Sequence, residues 1–240
     1  IGDPAFYDVP IQELISNKRT KELLSNIKFK TATPSAKIKP MSVVNESRDT
    51  THYSIIDSEG NAVSNTYTLG YSFGSGVTIP GTGILLNNQM NNFAYRYGDT
   101  SVSGRAASPA NKFEAGKRPM STMTPTMVFN RSGELTLVTG SPGGSFIPAA
   151  VLRVVSGIID FNLNIGEATM LPRIHKDWPY SGLDHESILS SDISRQLGIM
   201  GHQPESQKTM GSTQSIHIKD GFNYGYADLR RPGAAVSIQR

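Results

Sequence analysis

Thr50 stands where a loose polar stretch ends and a strand-like one begins, in Asp49-Thr50-Thr51-His52-Tyr53-Ser54. A threonine hydroxyl is a weak nucleophile until a base takes its proton. If the chain is cut before Thr50, the new α-amino group sits on the same residue as the hydroxyl. With an unperturbed pKa near ~8, that amine can serve as the base. The same six residues also read as β-formers opening a strand. Thr68, in Tyr67-Thr68-Leu69-Gly70, could hydrogen-bond the terminal amine or be an ordinary cross-strand threonine. Asn87-Asn88-Gln89-Met90-Asn91-Asn92 places five amides in six positions. Amides carry donors and acceptors that suit a polar small molecule, or a solvated loop. Gly140-Ser141-Pro142-Gly143-Gly144-Ser145 precedes an apolar stretch. Its glycine N–H groups could converge on an oxyanion at a helix N-terminus, or simply supply positive φ to a connection. The Gly-Lys-Ser/Thr ending of a phosphate-binding loop is missing.

The elements that would position these groups follow from patterning. Residues 52–57 and 62–69 read as two strands around the turn Ser58-Glu59-Gly60-Asn61, and 125–129 and 135–139 as a second hairpin. Ile84-Leu85-Leu86 reads as a short buried strand after a glycine-rich loop, and 93–117 as a long loop. The apolar run 147–159 predicts a buried helix, followed by helical segments at 165–170 and 187–197. Gln214–Ile218 and Tyr224–Asp228 read as closing strands. Strands, then helices, then strands predict an α+β layer architecture. Residues 1–49 differ: an interrupted helical spacing over 11–27 gives way to the polar stretch 30–50, an exposed linker of the kind where chains are cut. Ile1-Gly2-Asp3-Pro4 reads as the interior of a longer chain.

Composition narrows the chemistry. The 240 residues contain no cysteine, which excludes thiolate catalysis, disulfides and cysteine-ligated metals. A net charge of +3 gives no footprint for nucleic acid, and no apolar run is long enough to span a membrane. His52, His175, His185, His202 and His217 lack metal-ligand spacing and read as surface or packing residues. Lys117-Arg118 and Arg230-Arg231 read as short solvated basic spots, and Asn45-Glu46-Ser47 and Asn130-Arg131-Ser132 as chance glycosylation patterns.

Together, in this order and spacing, the segments closely resemble the γ-glutamyltranspeptidase family. The resemblance is carried by Thr50-Thr51-His52-Tyr53-Ser54, Tyr67-Thr68-Leu69, Gly83 to Met90, Lys117-Arg118-Pro119-Met120-Ser121, Val138 to Ser145, and Met210-Gly211-Ser212-Thr213-Gln214-Ser215. It implies an N-terminal-nucleophile hydrolase, a four-layer αββα sandwich of which this chain supplies about half. Residues 1–49 would be the end of the large subunit with the linker to the cleavage site, and 50–240 the small subunit. The inactive precursor would cut itself before Thr50, and the large subunit would remain the essential partner. Thr50 would then attack a γ-glutamyl amide such as glutathione, with Thr68 holding the amine and Gly143 and Gly144 the oxyanion. Water, an amino acid or a peptide would accept the acyl group. Gln89 and Asn92 match positions for the donor's α-amino group, and Ser121 and Thr122 those for its α-carboxylate, with the pairing arginine outside this chain. No cofactor or metal is implied, and family habit places the protein in the periplasm, the medium or at the cell surface.

Three positions depart from the family pattern. Many members have Asp where this chain has Asn92, an Asn or similar residue where it has Gly70, and a serine where it has Thr122. A neutral amide at 92 cannot reproduce a carboxylate's charge-assisted contact with an ammonium. Two alternatives on the same scaffold therefore stand beside the transpeptidase: a cephalosporin (glutaryl) acylase, and a poly-γ-glutamate depolymerase or transferase. A third, from another class, is a binding protein that kept the fold and lost turnover.

Overall fold

The computed structural model describes residues 2–38, 50–94, 109–177, 181–207 and 209–238. In chain order the elements are helices α1 (Ile11–Leu14) and α2 (Asn17–Ser25), strands β1 (Thr50–Ile56), β2 (Ala62–Thr68), β3 (Thr126–Phe129) and β4 (Leu135–Thr139), helices α3 (Ile147–Ile159) and α4 (Ile165–Met170), strands β5 (Ile174–His175) and β6 (Gly182–Glu186), helix α5 (Ser191–Ile199), and strands β7 (Gln203–Gln207), β8 (Gln214–Lys219) and β9 (Phe222–Ala227). They group into two compact units. One gathers residues of 46–89, 122–173 and 207–240, the other those of 1–45, 90–121 and 174–206.

The first unit is layered. β1 and β2 form an antiparallel hairpin in the register Thr50↔Thr68, His52↔Thr66, Ser54↔Ser64. Alternation turns these six polar side chains to one face. That face lies on the four-stranded sheet β3-β4-β8-β9. Hydrogen bonds join the layers: Ser54 Oγ donates to the Gln214 carbonyl at 2.8 Å, and Ser64 Oγ to that of Thr139 at 2.9 Å. The opposite side of the sheet carries the apolar core, with Leu137 against Val154 of α3 and Ile165 of α4. α3 buries Ile147, Ala150, Val151, Val154 and Gly157, a 3–4-residue spacing that puts one stripe inward. Gly157 lets α4 approach, since a Cβ there would stand 2.9 Å from that of Ala168. α4 opens with a capping box between Asn164 and Glu167.

Behind this framework lies a buried ion pair, Arg173 Nη2 to Asp228 Oδ2 at 2.6 Å. Burial alone would raise the Asp228 pKa, but the charges of Arg173 and Arg230 and the backbone donors of Arg230 and Thr213 hold it below the usual carboxylate value. Arg173 also donates to the Met210 carbonyl at 2.7 Å, and Arg230 to the carbonyls of Thr169 and Leu171. Arg230 is therefore tied into the unit rather than solvated, correcting the expectation for Arg230-Arg231.

The second unit holds α1, α2 and α5 and the three-stranded sheet β5-β6-β7. α2 is capped by Ser16, whose Oγ accepts the Arg19 N–H at 3.1 Å. Neither α1 nor α2 buries a residue. Two further sequence expectations change, one in each unit. Ile84-Leu85-Leu86 is not a buried strand: Leu85 makes an isolated bridge with Thr78, and Ile84 is 58% exposed. The backbones of 77–79 and 84–86 pair locally, so the apolar run closes an exposed loop. The helix expected at 187–197 is α5, starting at Ser191 after a turn. The bond before Thr50, the sequence Asn45-Glu46-Ser47 and most of the loop expected over 93–117 lie outside the described residues.

Candidate active site

Thr50 opens β1 and is paired across the hairpin with Thr68, the last residue of β2. It is only 6% exposed, and its Oγ1 is buried with no hydrogen-bond partner among the described residues. A buried hydroxyl left unpaired costs about 1–3 kcal/mol. Thr68 Oγ1 accepts the Gly70 N–H at 3.0 Å, and its carbonyl accepts Gln89 Nε2 at 3.2 Å. Gly70 has φ +95°, and a Cβ there would meet the Asn88 backbone at 3.1 Å. Glycine at this departure from the family pattern therefore fits the turn the backbone takes.

The glycine loop follows β4 and leads into α3. Gly143 has φ +136° and Gly144 φ +59°, both in the region that disfavours side chains. A Cβ on Gly143 would stand 2.9 Å from the Gly211 Cα, and one on Gly211 would stand 2.7 Å from Ser141 Oγ. Ser212 N–H donates to Ser141 Oγ at 2.9 Å, and Gln214 N–H to the Gly140 carbonyl at 3.1 Å. The glycine loop 140–145 and the segment 210–215 are thus interlocked. Thr122 Oγ1 donates to the Gly144 carbonyl at 3.0 Å. The departure from serine leaves a hydroxyl at this position.

A pocket of about 250 Å³ opens at the head of β1, lined by Thr50, His52, Pro142, Ser212, Gln214, Arg231 and their neighbours. Of the residues singled out in the sequence, this unit contains Thr50, Thr68, Gly70, Gln89, Thr122, Gly143 and Gly144. Asn92 and Ser121 belong to the other unit. There Asn92 is buried and its carbonyl accepts Asn111 Nδ2 at 2.6 Å.

His52 lacks metal-ligand spacing in the sequence, yet it lies on β1 on the same face as Thr50. It is buried, with Nδ1 2.7 Å from Thr66 Oγ1 and Nε2 3.1 Å from Ser54 Oγ. Ser54 donates its proton to Gln214, so it accepts from Nε2–H, and Nδ1 accepts from Thr66. Burial pushes the imidazole pKa down to about 4, so the ring is neutral near pH 7. Gly140 leaves room for it, since a Cβ there would stand 2.2 Å from the ring. The available signal was parity, because His52 shares the inward face with Thr50. Among the described residues no cluster of His, Asp or Glu could hold a metal ion.

Comparison with known proteins identifies the family. The sequence profile of the gamma-glutamyltranspeptidase family matches residues 1–238. The glutathione hydrolase proenzyme of Escherichia coli K12 is 43% identical over 96% of this chain and 40% of its own length. That of Pseudomonas aeruginosa is 38% identical over 100% of this chain and 43% of its own length. A crystallised Helicobacter pylori gamma-glutamyltranspeptidase mutant superposes with a TM-score of 0.71 at 42% identity, covering 75% of this chain and 100% of the solved one. The architecture is thus the α+β fold of the N-terminal-nucleophile hydrolases. The chain belongs to the gamma-glutamyltranspeptidase family, and it spans about two fifths of the length of the curated relatives it matches.

Proposed function

We propose that the whole protein is an autoprocessed γ-glutamyl amidohydrolase and transpeptidase in which Thr50 becomes the N-terminal nucleophile. The observation that carries this reading is the buried, unpartnered Thr50 Oγ1 at the head of β1, opposite Thr68 and on the same pocket as Pro142 of the glycine loop. After the Asp49–Thr50 bond is hydrolysed, the α-amine of Thr50 accepts the Oγ1 proton as Oγ1 attacks the γ-amide carbonyl. The carbonyl oxygen becomes an oxyanion facing the N–H groups of Gly143 and Gly144. Collapse expels the amine, which takes the proton, and leaves an ester on Thr50. Water or an amino acid then attacks that ester, releasing glutamate or a new γ-glutamyl amide.

Gln89 and Asn92 would receive the donor's α-amino group, and Ser121 and Thr122 its α-carboxylate. The large subunit of the same precursor would complete the site. The division into subunits at 49/50 is part of this proposal, as is export to the periplasm, the medium or the cell surface. Among the described residues no helix is long and apolar enough to cross a membrane. Asn92 favours a second donor class, because a neutral side chain does not require an ammonium on the substrate. The test is anilide release by the full-length enzyme from γ-glutamyl anilide and from glutaryl anilide, with Thr50→Ala as control. Preference for the γ-glutamyl compound supports the transpeptidase. Preference for the glutaryl compound supports an acylase. No release above the Thr50→Ala control from either removes the catalytic reading.

A further inference from the structure

A second feature concerns how the first 49 residues stay attached. Lys117-Arg118, expected to be a solvated basic spot, is engaged, although the Arg118 side chain stays 73% exposed. The Arg118 guanidinium grips Asp3 through Nη2 to Oδ1 at 2.7 Å and Nε to Oδ2 at 3.0 Å. The Arg118 backbone N–H adds a third bond to Oδ2 at 2.9 Å, and Ala5 N–H a fourth to Oδ1 at 3.1 Å. Both carboxylate oxygens are thus doubly satisfied, and the Asp3 side chain is 1% exposed. A two-pronged guanidinium–carboxylate contact supplemented by backbone donors is a strong, geometrically specific arrangement. Beside it the Lys117 side chain is 4% exposed, with its ammonium 5.7 Å from the centre of the Phe6 ring.

Gly2 completes the contact. A Cβ on it would fall 2.1 Å from the Ala110 carbonyl oxygen, so backbone lies directly on backbone. The receiving surface is itself braced: Asn111 Nδ2 donates to the Asn92 carbonyl, and Asn111 Oδ1 accepts the Met120 N–H at 2.9 Å. Among the described residues beyond residue 7, neither α1 nor α2 holds a buried residue, while Ser35 is buried and the Ala32 N–H donates to the Met200 carbonyl at 2.6 Å.

We propose that residues 2–7, locked by Asp3–Arg118, form the clasp that keeps the segment before Thr50 bound to the rest of the chain once the covalent link is gone. The proposal rests on the cleavage reading above: in an uncut chain these contacts are internal, and after the cut they join two polypeptides. The segment they hold is the end of the proposed large subunit, so they bear on whether the cut enzyme stays whole.

The experiment uses the full-length protein, with cleavage before Thr50 checked by intact mass. Wild type, Asp3→Ala and Arg118→Ala are taken through increasing urea, and release of the C-terminal fragment is followed by size-exclusion chromatography. Thr50→Ala and Thr50→Ala/Asp3→Ala serve as uncut references. The expected result is that both cut variants release the fragment at lower urea than cut wild type, while the uncut pair elutes as one species throughout. Arg118→Ala keeps the Asp3 backbone bonds and provides the answer if Asp3→Ala does not fold. Cut variants that hold the fragment to the same urea concentration as wild type overturn the clasp alone. A wild-type chain that is never cut overturns it together with the assignment of Thr50, and the mass measurement tells the two failures apart.

Discussion

Replacing Gly140 by alanine tests the packing of His52 on the inward face of β1. The added Cβ would stand 2.2, 2.4 and 2.8 Å from Cε1, Nδ1 and Nε2 of His52, where ordinary contact begins at 3.4 Å. Gly140 is not among the glycines with positive φ, so the penalty is steric rather than conformational. The imidazole must retreat by about 1 Å, which stretches its 2.7 Å bond to Thr66 and its 3.1 Å bond to Ser54 beyond hydrogen-bonding range. Ser54 keeps its bond to Gln214, so His52 and Thr66 bear the loss. An unpaired buried polar group costs about 1–3 kcal/mol, and overpacking a similar amount. The substitution should therefore destabilise by about 3 kcal/mol, measured by urea unfolding followed by circular dichroism. Because His52 lies two residues from Thr50 on the same face of β1, cleavage before Thr50 should also slow. The decisive comparison is a cycle with His52→Ala. Removing the ring removes the clash, so the double variant should be more stable than the sum of the singles predicts, by about 1–3 kcal/mol. A Gly140→Ala protein within about 0.5 kcal/mol of wild type, or strict additivity in the cycle, would refute the reasoning.

Other expectations follow from the same contacts. The His52 pKa falls to about 4 in the folded protein from 6.5, so the unfolded chain binds more protons between those values. Stability should therefore decline as pH drops from 6.5 towards 4, and His52→Gln should flatten that decline in unfolding curves recorded across the window. Asp228→Asn leaves the buried Arg173 guanidinium without its counter-charge and should cost about 3–5 kcal/mol, whereas Arg173→Met/Asp228→Leu should cost less. Equal losses in thermal unfolding would contradict the pairing. Asn92→Asp should lower KM for a γ-glutamyl anilide by roughly tenfold with little change in kcat, as expected for a charge-assisted contact made equally before and during reaction. An unchanged KM would move the ammonium site elsewhere.

Much of the fold was legible because periodicity and function coincide. The stripe Ile147, Ala150, Val151, Val154 and Gly157 announces α3, and the paired strands around Ser58–Asn61 and Asn130–Gly133 announce both hairpins. Thr50 and Thr68 face each other across the hairpin that the strand pattern announces, and Gly143 and Gly144 take the positive φ that glycine allows; their proposed roles come from the family resemblance. Where the sequence misled, the cause was a contact that no periodicity announces. Ile84-Leu85-Leu86 has the composition of a core strand, but its partners are the backbone of 77–79 in the same exposed loop. Arg230 looks solvated beside Arg231, yet its partners are Asp228 and the carbonyls of Thr169 and Leu171, and Arg118, still 73% exposed, is paired with Asp3. β5, β6 and β7 are short and polar, and no local pattern marks them. His52 escaped notice because its partners are hydroxyls, which carry no spacing rule.

The most direct test of the central claim is intact mass spectrometry of the full-length protein before and after incubation with a γ-glutamyl anilide, followed by peptide mapping. The account predicts two fragments divided between Asp49 and Thr50, with a γ-glutamyl ester on Thr50 of the smaller one. A single uncut mass, or an acyl group carried by any other residue, would contradict it.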